Sequence, residues 1–281
     1  MTYNYTIAGV PVRFLPDCPL VENRDTLLFS DAPAPDAVTF PLVSEDTLLL
    51  PTDADQTLPF ADGEVILKDG VYTRVLRHRA TQAPLVTVTR RLGEPGAIIR
   101  VRNEEKPYTI RTQVLWSAID LPYTLSFFGI LILHAAVIRV RDQAILFVAP
   151  SGTGKSTQAA LWEKFRGAAI VNGDKGAISL RDSEILAHGL PFCGTSGICE
   201  SYTLPVRAIV SLVQSPVNTA IRLHGAAALQ AIVQNSFGCK PLCLTKNIDL
   251  SSAILDKIPV YRLSCTPDER AVDVLEQAIF H

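Results

Sequence analysis

One stretch constrains this chain more than any other: Ala149-Pro150-Ser151-Gly152-Thr153-Gly154-Lys155-Ser156-Thr157. It matches GxxxxGK[ST], with Ala149 in the first position. The apolar run 145–148 precedes it, and a helical pattern begins near Lys155. Strand, glycine turn and helix in that order demand an α/β layer arrangement around the loop. They also make an anion site. Gly152 and Gly154 let the backbone turn tightly and bring its N–H groups close to phosphate oxygens. The helix N-terminus adds unpaired donors and a partial positive charge. Lys155 supplies a point charge for the β and γ phosphates, and Ser156 a hydroxyl for Mg²⁺. A merely structural glycine turn has no use for lysine at that point. The expected ligand is a nucleoside triphosphate with Mg²⁺, held by Ser151, Gly152, Thr153, Gly154, Lys155, Ser156 and Thr157.

Three further features gather around this loop. Val171-Asn172-Gly173-Asp174-Lys175 ends the strand that follows the loop helix. If that strand runs parallel to the loop strand, Asp174 reaches the γ-phosphate region. There it could bind Mg²⁺ or accept a proton from an attacking hydroxyl. The same residues also spell a strong turn, in which Asp174 need only shape the backbone. His134 lies in the otherwise apolar run 131–140. Folding back through Arg141-Asp142-Gln143 onto 144–148 puts it near the start of the loop, unless it is simply a satisfied core histidine. The glycine-rich stretch 188–197 reads equally as an active-site loop or a structural one.

The rest of the chain supplies two regions. Residues 1–110 carry short Val-, Ile-, Leu- and Thr-rich runs at 6–14, 26–29, 37–42, 64–67, 71–76, 85–89 and 97–101, split by Pro, Gly, Asp and Asn. This predicts a β-rich N-terminal domain, 1–110, that makes no contact with the triphosphate and engages substrate or partner. Arg74, Arg77, Arg79, Arg90 and Arg91 read as solvated strand faces. Residues 111–281 form the second domain. It opens with a helical pattern over 111–129 that Pro122 breaks. Beyond the loop, helices are expected at 157–165, 225–234, 251–257 and 267–280, and strands at 168–171, 177–180, 207–213 and 260–263.

Composition narrows the partners. With 281 residues, 48% hydrophobic and 19% charged, the chain has the make-up of a globular protein with one or two cores. A net charge of -2 gives no footprint for nucleic acid or an anionic membrane. The longest apolar stretch is broken by Ser126, His134 and Arg139, too polar to span a bilayer. No basic, apolar leader is legible in 1–20, so the expected compartment is the cytoplasm. The six cysteines form no CxxC pair and read as free buried thiols.

Together, His134-Ala135, Ser151–Ser156 and Gly173-Asp174 resemble the kinase core of HPr kinase/phosphorylase and its shorter relatives, over roughly residues 130–281. The ending Ile258-Pro259-Val260-Tyr261-Arg262-Leu263, followed by a Pro-Asp-Glu helix, is similar to the close of those relatives. The resemblance implies an α/β fold with a phosphoenolpyruvate carboxykinase/HPr kinase-like P-loop core. It implies a kinase that moves the γ-phosphoryl group of ATP to a hydroxyl, serine above all, on a protein, a peptide such as a lasso-peptide precursor, or a small molecule. Asp174 takes the place of the base, with Lys155 and His134 assisting. Relatives are often oligomeric, so a homo-oligomer is compatible. The family's Asp-Asp is Gly173-Asp174 here, and no counterpart of its HPr-handling loop is recognisable. Two other readings therefore stand beside the kinase: a non-catalytic nucleotide-sensing module, and phosphoenolpyruvate carboxykinase-type activity, for which the chain is short.

Overall fold

A computed structural model of the chain describes all residues except Ala61, Cys193 and Cys239, together with the side chains of all described residues but Thr195, Lys240 and Pro241. The chain divides into two units, Met1–Phe127 and Phe128–His281, and each has its own large mixed sheet.

In the first unit, strands β1 (Tyr3–Ile7) and β2 (Val10–Pro16) precede a short helix α1 (Arg24–Leu27). Strands β3 (Val38–Glu45), β4 (Gln56–Phe60), β5 (Gly63–Lys68), β6 (Val71–Arg77), β7 (Pro84–Arg91) and β8 (Ile98–Arg102) follow. Helices α2 (Lys106–Thr109), α3 (Thr112–Ala118) and α4 (Leu121–Ser126) close it. The strand order is β1-β2-β3-β8-β7-β6-β5-β4. The expected run 6–14 is thus a hairpin, turned at Ala8-Gly9 where φ is positive. The strand expected at 26–29 is instead α1, because Asn23 caps it and its Thr26 is buried against α3.

Two expectations about this unit are corrected. The boundary falls after Phe127 rather than after residue 110. Trp116 of α3 packs edge-on against Tyr5 and Phe14 and donates its Nε1 hydrogen to Thr26 Oγ1 at 3.1 Å, which ties 111–127 to the first core. The arginines are not a uniform solvated strip either: Arg74 and Arg90 are buried. Arg90 donates to the carbonyls of Pro95 and Ile119 and to Thr124 Oγ1, so its charge is spread over oxygens of the β7–β8 connection, the α3–α4 turn and α4. Arg77 is paired with Glu64.

The second unit begins with an antiparallel hairpin, β9 (Ile130–Val140) and β10 (Gln143–Val148). Arg141 and Asp142 both take positive φ in its turn. Next come α5 (Lys155–Arg166), β11 (Ala169–Asn172), β12 (Lys175–Arg181), β13 (Glu184–His188), β14 (Thr203–Gln214), β15 (Thr219–Leu223), α6 (Gly225–Val233), α7 (Lys240–Leu255), β16 (Val260–Cys265) and α8 (Glu269–Phe280). Strands β13 and β15, like β4 in the first unit, carried no legible signal. Helix α7 extends well upstream of the expected 251–257, and Pro267 precedes the N-cap Asp268 instead of opening α8.

Strands β9 and β14 are long enough to change partners along their length. β9 pairs with β10 and β12, β14 with β10 and β13, and β12 with β13, so five strands close a ring. β14 also pairs in parallel with β16. Alternation along β9 sends Leu131, Leu133, Ala135 and Val137 into a core shared with α6 and α7. Ala136, Ile138 and Val140 enter a second core with α5 and α8, built around fully buried Trp162. Helices therefore cover both faces, and the central strands read as nearly continuous apolar runs.

Candidate functional site

The glycine loop leaves β10 and enters α5 in the order the sequence predicts. Gly152 has φ of 79° and Gly154 a φ of 115°. A Cβ at either would meet nothing within 4 Å, so glycine is needed for the backbone conformation and not for room. Gly154 caps α5 and gives no side-chain hydrogen bond, which leaves the amides of the first turn to the loop side. Lys155 is buried, and its ammonium donates to the carbonyls of Ala149 at 2.9 Å and Pro150 at 3.3 Å. Burial pulls its pKa down, and the charge of Asp174 acts in the opposite sense. Ser151, Ser156 and Thr157 are exposed around the same turn.

His134 sits where both neighbours of β9 change. The hairpin register ends at Val148 opposite Ala135, so the chain leaves β10 for the loop beside His134. Beyond that point the free edge of β9 is taken by 235–237: His134 N donates to Asn235 O at 2.8 Å, and Phe237 N to Ile132 O at 2.9 Å. On the other edge, β11 ends and β12 begins. β11 is antiparallel to β9, as β10 is, so β11 and β10 point the same way and the condition for Asp174 is met. The Asp174 carbonyl accepts from Ala135 N, and Lys175 pairs directly opposite His134. Two chain crossings at one position of β9 thus bring loop, His134 and Asp174 together.

His134 Nε2 lies 3.6 Å from Asp174 Oδ1, and Lys175 Nζ lies 3.7 Å from Asp174 Oδ2. Burial and the positive charges of Lys155 and Lys175 hold the His134 pKa below its ordinary value, against the pull of Asp174. Phe192, Gly194 and Ser196 lie against this turn. The Asn172 side chain links the two: its Oδ1 accepts from the amides of Asp174 and Lys175, both at 2.9 Å, and its Nδ2 donates to Phe192 O at 2.7 Å. A Cβ on Gly173 would lie 2.2 Å from Ser196 Oγ, and one on Gly194 2.5 Å from Asp174 Cβ. Gly173 therefore has no space for a side chain while Ser196 keeps its place.

On the opposite flank of the loop, a cleft of about 610 Å³ is lined by Gly152, Thr153, Gly154 and Thr157 together with Gln214–Pro216 and Cys265–Pro267. The strands β10, β14 and β16 run parallel and end here, the usual place for a ligand in such a sheet.

No family model and no curated protein matches the sequence. Among solved structures, the Hpr(Ser) kinase/phosphatase from Coxiella burnetii aligns over 52% of this chain and 91% of its own, at 13% identity and a TM-score of 0.32. This is a distant structural likeness, and a score of that size carries no argument about chemistry. No helix among the described residues is long and apolar enough to cross a membrane.

Sequence reasoning named Lys155, His134 and Asp174 but passed over Asn172 and Lys175, which flank the Gly-Asp pair. Their signal was present in the Asn-Gly-Asp turn, where an asparagine carbonyl commonly accepts backbone amides two and three residues on. Phe237 has no sequence signal, because only the pairing of 235–237 with β9 brings it to the site. Of the histidines, His188 is a core residue: buried, between Ser179 and Thr203. The described cysteines are free, as expected, but only Cys243 of them is buried, because Cys18, Cys199 and Cys265 lie partly open to solvent; Cys193 and Cys239 lie outside the described residues.

Proposed function

We propose that the second unit is the catalytic part of an ATP-dependent kinase of the HPr kinase-like type, with a P-loop core related to that of phosphoenolpyruvate carboxykinase. The supporting observation is the meeting of the Gly152–Gly154 turn, Lys155, His134 and Asp174 at one end of one sheet. In this reading the loop amides and the α5 N-terminus hold the β and γ phosphates, and the nucleoside lies in the cleft beside Gln214 and Thr266. The triphosphate competes with the Ala149 and Pro150 carbonyls for the Lys155 ammonium. Asp174 accepts the proton of the acceptor hydroxyl as its oxygen bonds to the γ-phosphorus. The bond to the β–γ bridging oxygen breaks, and ADP leaves with the electron pair. His134, 3.6 Å from Asp174, flanks the proton acceptor. The acceptor class is a hydroxyl, serine above all, of a protein, peptide or small molecule.

Ser156 and Asp174 suit Mg²⁺. They are hard oxygen donors, few in number, and Mg²⁺ keeps several waters and completes its shell on substrate phosphates. Bound there, the ion would neutralise phosphate charge.

A second reading, a non-catalytic nucleotide-binding module, is favoured by one observation: Gly173 has no room for a second acidic side chain. The deciding experiment is turnover of γ-labelled ATP with and without Mg²⁺, with serine-containing peptides as acceptors. Mg²⁺-dependent phosphoryl release or transfer that disappears in Asp174→Asn is the expected result. Binding without turnover would establish the second reading, and absence of ATP binding would end both.

A further inference from the structure

Resting on the kinase reading, we propose that Lys175 is a second phosphate-binding lysine that grips the terminal phosphate alone and thereby distinguishes ATP from ADP. Lys175 enters the site from β12, whereas Lys155 enters from α5. Strand pairing sets it directly opposite His134, so the two side chains share one face. Its ammonium is not left to wander as on an ordinary surface lysine. It lies 4.4 Å from the centre of the Phe192 ring and 5.1 Å from that of Phe237, and both attract a cation. Phe237 also packs edge-on against His134, so the same ring positions both side chains.

The charge balance points the same way. Lys175 lies within ion-pair distance of Asp174, and the charge of Asp174 acts on Lys155 as well, so two lysines converge on one carboxylate. Among these side chains lysines outnumber carboxylates two to one, at a strand end beside the glycine loop. A phosphate arriving from the loop side meets Lys155 first, near the loop carbonyls. Its terminal oxygens extend towards Asp174 and Lys175.

This gives Lys175 two consecutive tasks. Paired with Asp174 Oδ2, it occupies the oxygen that would otherwise take the acceptor's proton. On donating to a non-bridging γ oxygen it releases that oxygen, so the base is freed only when the group to be transferred is present. During transfer the acceptor oxygen–phosphorus bond forms and the bridging oxygen–phosphorus bond breaks. The proton passes to Asp174, and Lys175 balances charge on the moving phosphoryl oxygens. ADP has no group that reaches it.

The test is a titration of the whole protein with Mg·ATP and Mg·ADP, comparing wild type with Lys175→Met, which keeps the stem on the rings but removes the charge. Affinity for ATP should fall by about tenfold or more, the usual worth of one charge-assisted contact. Affinity for ADP should stay within about twofold of wild type by the same reasoning. Lys175→Arg should recover part of the ATP preference. Lys155→Ala, measured alongside, should weaken both nucleotides. Equal loss of ATP and ADP, or no loss of either, would overturn the proposal, because a lysine that only steadies Asp174 leaves the ratio of the two affinities unchanged. Lys175→Gln is measured in parallel so that a poorly folding Met variant does not leave the question open. Wild-type protein that binds neither nucleotide would reject the kinase reading itself, a result distinct from a normal ATP preference in the variant.

Discussion

His188 offers a stability test that depends on buried hydrogen bonding. It ends β13, is 2% exposed, and its Nε2 lies 2.8 Å from Ser179 Oγ and its Nδ1 3.2 Å from Thr203 Oγ1. Burial, reinforced by Arg181, lowers its pKa from the ordinary 6.5 to about 4. In the unfolded chain the ring takes up a proton near 6.5, but in the folded protein only near 4. Between those values the unfolded state binds more protons, so stability falls as pH drops through the window. The full shift is worth roughly 3 kcal/mol, and about 2 kcal/mol of it is lost between pH 7.5 and pH 5. The assay is urea denaturation at those two pH values, in wild type and in His188→Gln. Trp162 fluorescence reports the second unit when Trp116 is replaced by Phe in both proteins. Other titrating groups are common to the pair and cancel. The pH-dependent loss should be smaller in His188→Gln by about 2 kcal/mol. A difference under about 0.5 kcal/mol, the usual additivity error, would refute the reasoning. The consequence reaches the site, because His188 anchors the start of the chain that lies against Gly173 and Asp174.

Three other predictions concern the loop and the strand end. Lys155→Ala should weaken Mg·ATP binding by about ten- to a hundredfold in isothermal titration, since it removes a charge from the β and γ phosphates. Asp174→Asn should leave Mg·ATP affinity within a few-fold while phosphoryl transfer falls by roughly two to four orders of magnitude, the worth of a general base. A parallel fall in affinity would make Asp174 mainly a metal ligand. Gly173→Ala forces a methyl to within 2.2 Å of Ser196 Oγ and 2.5 Å of its Cβ. Such overpacking should cost about 1–3 kcal/mol in thermal or urea unfolding, and Ser196→Gly in the same chain should recover most of it.

The local parts of this protein are written locally. The glycine loop, the apolar strand before it and the helix after it need only a nine-residue motif and its flanks, because a strand–turn–helix conformation is a property of contiguous backbone. The β9–β10 hairpin was equally legible, since Arg141-Asp142-Gln143 between two apolar runs fixes the register that carries His134 to the loop. Even Asp174 could be placed from a strand-direction argument, as β11 does point the same way as β10.

What sequence did not reveal depends on contacts between distant segments. The expected boundary after residue 110 ignored Trp116, whose partners Tyr5, Phe14 and Thr26 lie far back in the chain. Arg90 looks like a surface residue in its strand, and only the Ile119 and Pro95 carbonyls make its burial tolerable. Strands β13 and β15 are short, and they exist because β14 and β16 offer them edges. At the site, the chain alone determined that a lysine, a histidine and an aspartate were available. The tertiary structure decided that they meet, by crossing two strand ends over one position of β9. It also decided that Phe192 and Phe237 hold Lys175 beside them and that Ser196 fills the space at Gly173. Hydrogen-bonded neighbours in a sheet are set by pairing between remote segments, and no local pattern records that pairing.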